Sequence, residues 1–86
     1  MSEPSQIDRA CAWLDEVKAL IREKNAAYGD SAFQPIGVFS KLPPSEGIRL
    51  RIDDKIKRIM MGNEGGNEDT IKDLAGYLAL LAVVEE

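Results

Sequence analysis

Apolar residues recur at three- and four-residue steps in three stretches of the chain and lose that period between them. Ile7, Ala10, Cys11, Leu14, Val17 and Ile21 form the first series, the buried stripe of an amphipathic helix. Ser5 followed by Asp8 is a capping-box variant, Pro4 discourages an earlier start, and Gly29 supplies a left-handed stop. A helix is predicted over about 6–28. The second series is Ile48, Ile52, Ile56 and Ile59, a narrow seam behind Ser45 as N-cap, which predicts a helix over about 45–61. In the third, Asn67 caps a helix over about 67–85. Ile71, Leu74, Leu78 and Leu81 lie on one side of it as most of a core, and Asp69, Asp73 and Tyr77 project from the other at i, i+4 and i+8.

Between the first two helices, residues 29–44 hold three prolines and two glycines with no sustained period, so this is a long loop. Loops of this length inside a compact domain tend to be lids or binding segments. Two readings of its apolar residues stand: Phe33, Ile36, Val38, Phe39 and Leu42 cover the open side of a helical bundle, or Phe33 or Phe39 meets a ligand. The short stretch from Gly62 to Gly66 is a turn. The expected architecture is all-α: one domain over 1–86, three helices with a long loop between helices 1 and 2.

A chain of 86 residues buries only about 60% of its unfolded surface. Leu78, Leu80, Leu81, Val83 and Val84 occupy more than one face of helix 3, more than three helices can cover, so a homo-oligomer formed through helix 3 is expected. The net charge of −4 argues against binding to duplex nucleic acid or an anionic membrane. With one cysteine and no histidine, an internal disulfide is impossible and structural zinc has no ligand set. Cys11 reads as a core residue. The polar N-terminus and an apolar run, Leu78 to Val84, far below the ~20 residues of a membrane span suggest a cytoplasmic protein.

Within this acidic chain, residues 49–58 are locally basic. Arg51, Lys55 and Arg58 share one face at i, i+4 and i+7 and are the candidate phosphate-binding residues. Asp53 and Asp54 have Arg49, Lys57, Arg51 and Arg58 as local counter-ions. Asp69 and Asp73, one turn apart, can bridge Mg²⁺ directly or through its waters. Asp69 reads equally as a helix-start residue, and Asp73 as one end of an interhelical ion pair with Arg51, Lys55 or Arg58. In the cluster Tyr28-Gly29-Asp30-Ser31, Asp30 and Ser31 can hydrogen-bond the turn backbone, while Tyr28 either stacks on a base or anchors helix 1.

Three blocks, K-N-A-A-Y-G-D-S at 24–31, R-L-R-I-D-D-K-I-K-R-I at 49–59 and E-D-T-I-K-D-L-A-G-Y at 68–77, together resemble the nucleotide-modification-associated domain family, small proteins common in phages and prophages. That family is distantly similar to the MazG-type all-α nucleoside triphosphate pyrophosphohydrolases, whose helices present acidic motifs to Mg²⁺ and a nucleotide. The resemblance matches Asp69 and Asp73 to the E-x-x-x-D element of those enzymes. On the earlier helix their E-E-x-x-E run is replaced by Asp53-Asp54-Lys55-Ile56-Lys57, with Lys57 in place of the final acid, which suits holding an anion better than activating a water. The leading expectation is an oligomeric protein that binds a nucleotide or nucleotide-derived signal, with Arg51, Lys55 and Arg58 on the phosphates and Tyr28, Asp30 and Phe33 near them. Its use would be nucleotide metabolism or sequestration of a host immune signal. The alternatives are an Mg²⁺-dependent pyrophosphohydrolase with Asp54, Asp69 and Asp73 as ligands, and a protein-interaction inhibitor of a host factor.

Overall fold

The computed structural model describes residues 3–62 and 69–86, and three α-helices account for most of them: α1, Gln6–Tyr28, α2, Pro44–Met60, and α3, Thr70–Val84. There is no strand among the described residues. The all-α expectation holds, and the local signals that set the boundaries can be named. At the start of α1 the Ser5 hydroxyl accepts from the Asp8 N–H at 3.0 Å and the Asp8 carboxylate accepts from the Ser5 N–H at 3.3 Å, which completes the capping box. At its end Gly29 adopts φ 59°, and its N–H donates to the Asn25 carbonyl.

Two helix starts differ from the sequence expectation. The α2 N-cap is Pro43, with Pro44 at the first helical position and no side-chain cap, so Ser45 is already inside the helix. Proline at that position brings a helical φ and gives up an N–H that would be unpaired anyway. The cap of α3 is Asp69, whose carboxylate accepts from the Lys72 N–H at 3.0 Å. Asn67 and the turn expected from Gly62 onward, beyond Gly62 itself, lie outside the described residues.

Both α1 and α2 pack against α3, and not against each other. The core is small: Val17, Ile48 and Ile52 are its buried apolar side chains among the described residues. Here the sequence expectation needs correcting on each helix. The first half of α1 is exposed apart from half-buried Trp13, so that Ile7, Leu14 and Cys11 are not in a core. Their stripe is correctly placed on one face, but α3 accompanies α1 only from about Glu16 onward, where Lys72 reaches that glutamate. Along the α2 seam Ile56 and Ile59 are also largely exposed. On α3 the buried face is Thr70, Asp73 and Gly76, while Ile71 and Leu78, expected inside, point outward. In the 29–44 loop, Ile36 is 90% and Phe39 99% exposed, so these residues cover nothing; Phe33 alone of the two phenylalanines is half-buried.

Gly76 marks where α1 passes α3. A Cβ built there would stand 3.5 Å from Ile21 Cγ1, an ordinary contact. Gly76→Ala is therefore expected to raise stability by about 0.5–1 kcal/mol through helix propensity, whereas Gly76→Leu is expected to lower it by about 1–3 kcal/mol by overpacking; urea unfolding reads both. Thr70 is 1% exposed, and its hydroxyl has no hydrogen-bond partner among the described residues. An unpaired buried hydroxyl costs about 1–3 kcal/mol, so the near-isosteric Thr70→Val is expected to raise the urea midpoint; a drop would show that the hydroxyl is in use.

Candidate functional site

Asp73 stands where the three helices meet. Its side chain is 6% exposed, with Lys24 Nζ of α1 2.9 Å from one carboxylate oxygen and Lys55 Nζ of α2 3.5 Å from the other. Lys55 is nearly as buried, at 11%. The interhelical ion pair expected from sequence is thus present through Lys55, and Lys24 joins it from a helix that sequence reasoning did not connect to it. The pattern had one usable signal: Asp73 has no cation at i±3 or i±4 on its own helix, which required a partner from elsewhere.

Around this junction the last turns of α1, one face of α2 along most of its length, the inner face of α3 and the 29–44 loop border an open cleft of about 840 Å³. All six candidate ligand residues line it: Arg51, Lys55 and Arg58 from α2, Tyr28 from the last turn of α1, Asp30 and Phe33 from the loop. It also takes in Arg22 and Lys24 from α1, and Tyr77 from α3. Five cations and three aromatic rings therefore border one cleft, with Asp30 and Asp73 its acidic residues.

The loop residues are placed by main-chain geometry. Gly29 and Asp30 both take left-handed φ, 59° and 66°, which aspartate tolerates better than most residues. The chain then turns through the Asp30 carbonyl, which accepts from the Phe33 and Gln34 N–H groups at 3.0 and 2.9 Å. The expected bonds from the Asp30 and Ser31 side chains to this turn do not form, because the reversal is already closed by backbone atoms.

The candidate metal residues are dispersed in their duties. Asp69 caps α3 and lies 3.8 Å from Lys72 Nζ, Asp73 faces two ammonium groups, and Asp54 is exposed on α2. Among the described residues no three acidic, cysteine or histidine side chains gather closely enough to share an ion. Arg49 and Asp53, expected as a local pair, are not bonded to each other among the described residues. Arg49 turns instead to Glu46 at 3.1 Å and to Glu85 at the far end of α3, where a second carboxylate is within reach of the same guanidinium. No described helix is long and apolar enough to cross a membrane. Comparison with protein families, with curated proteins and with solved structures finds no match to this chain. The family resemblance therefore rests on its three sequence blocks alone.

Asp73→Asn is expected to destabilise the fold by about 2–4 kcal/mol, because it withdraws the compensating charge from a nearly buried lysine. In a double-mutant cycle read by urea unfolding, Lys55→Met is expected to cost much less in the Asp73→Asn background than in the parent. Additive losses would show that the two side chains do not interact.

Proposed function

We propose that the cleft binds a nucleotide or nucleotide-derived molecule, with its phosphates against Arg51, Lys55 and Arg58 and its base against Tyr28 or Phe33. The observation that carries this reading is the convergence of cations from α1 and α2 with three aromatic rings on one cleft, in a chain whose net charge is −4. An acidic protein gains nothing in solubility by clustering its cations, whereas a polyanion with a flat apolar ring needs both kinds of group within one molecular length. The volume falls within the range of small-molecule sites. Asp73 holds Lys24 and Lys55 in place before a ligand arrives, which lowers the ordering cost of binding.

Both carboxylate oxygens of Asp73 face ammonium groups, which favours binding over metal-assisted hydrolysis. In a phage setting the uses that fit are retention of a nucleotide in metabolism or sequestration of a nucleotide signal. Calorimetric titration with nucleoside mono-, di- and triphosphates and cyclic nucleotides tests the reading. Binding is expected to weaken with added salt, and to lose about tenfold or more in Arg51→Ala and about 1–3 kcal/mol in Tyr28→Ala. Absence of binding to every member of the panel at high micromolar concentration overturns it; pyrophosphate release with Mg²⁺ replaces it with the hydrolytic alternative.

A further inference from the structure

The exposed residues of α3, Ile71, Leu78, Ala79, Ala82 and Val83, are all apolar. At 3.6 residues per turn Ile71, Ala75, Leu78, Ala79, Ala82 and Val83 fill one continuous arc of about 140°, and Ile71, Leu78 and Val83 are 57%, 50% and 55% exposed. Lys72 is the one polar residue at these angles, near the Val83 edge, and its ammonium group turns away to Glu16 and Asp69. A monomeric helix normally turns charged residues to this side, whereas here Asp73 is on the inner side and Lys72 is drawn toward α1.

We infer that this arc is the seat of a second copy of the chain, whose own α3 lies across it antiparallel. The surface area points to the occupant. The chain exposes 6806 Å², whereas a compact monomer of 9.5 kDa exposes about 5,000 Å². The excess, about 1,800 Å², is spread over this face, the overhanging start of α1 and the 29–44 loop, and together it exceeds the share of a standard-sized interface. The radius of gyration, 15.0 Å, likewise exceeds the ~12 Å of a compact chain of this length. The arc can meet itself across a two-fold axis, as an isologous contact requires: Ala75, Ala79 and Ala82 let the helix axes approach, and Ile71, Leu78 and Val83 interlock beside them.

Charge sets the direction. α3 ends in Glu85 and Glu86, at the negative end of its own dipole and with no basic residue in the last turn. A parallel pair would bring four of these carboxylates together. An antiparallel pair sets each acidic end near Lys72 in the first turn of the other α3, beside its capping Asp69.

The test is the mass in solution by light scattering, with directed cross-linking. A mass of twice 9.5 kDa at micromolar concentration is expected, falling to the monomer in Ala79→Glu and unchanged in Ala19→Glu, which adds the same charge on the exposed side of α1. A monomeric parent chain, or an Ala79→Glu variant that stays dimeric, overturns the proposal. In a Cys11→Ser background, chains carrying Ala75→Cys are expected to form a disulfide with chains carrying Ala82→Cys and not with each other. Cross-linking of Ala75→Cys with itself overturns the antiparallel arrangement. This arm does not depend on whether Ala79→Glu folds, and neither arm requires the cleft to bind a nucleotide.

Discussion

One carboxylate between two ammonium groups stands where the three helices meet. α1 and α2 do not pack against each other, so apart from their separate contacts with α3, what ties them at the centre of the molecule is Asp73, which holds Lys24 on one side and Lys55 on the other. At ~4 Å and an effective dielectric of about 20, one such attraction is about 4 kcal/mol before desolvation is subtracted. That cost is high for Asp73 and Lys55, which are nearly buried, and lower for half-exposed Lys24. The arrangement makes more sense as positioning than as gross stabilisation. An apolar residue at 73 would let α1 and α2 pack on α3 at least as tightly, but it would leave no reason for two lysines to point into the same cleft.

That choice has a consequence on the opposite side of α3. Because the inner face of the helix is given to Thr70, Asp73 and Gly76, three of its large aliphatic side chains, Ile71, Leu78 and Val83, are displaced outward. The helix leaves part of its apolar surface uncovered, and among the described residues Val17, Ile48 and Ile52 make a fully buried core too small for a chain of this length to rely on. The first half of α1 repeats the problem: about ten residues, helical and capped, extend past α3 with Ile7 and Leu14 exposed. An isolated helix of that length is marginal in water. Polar chemistry in the middle of the molecule and uncovered apolar surface at its edges are two sides of the same economy of burial.

Three helices and their order were legible in the sequence because local rules fix them. Ser5, Asp8 and Gly29 act on their own neighbours and behaved as expected. At Pro43-Pro44 the preference of proline for the first helical turn prevailed over Ser45 as a cap. Faces were another matter. Periodicity identifies which residues share a side, but not which side a neighbour will cover, and on α3 the usual presumption that the apolar side is inner failed because the neighbours supply cations rather than aliphatic groups. The basic face of α2 was legible from spacing; the contribution of Lys24 was not, since 49 residues separate it from Asp73 and only the tertiary crossing at Gly76 brings them together.

The same crossing explains why the cleft stays open. Helices α1 and α2 diverge on either side of α3, and the loop between them lends Phe33 to the cleft while Ile36 and Phe39 stay outside it. The end of α1 enters with Lys24 and Tyr28 one turn apart, a cation and a ring in the order in which a phosphate and a base would need them. Across the gap Arg51 and Lys55 repeat the one-turn spacing on α2. An anion between the two helices would therefore be held by both, and would add its own charge to the link that Asp73 makes between them.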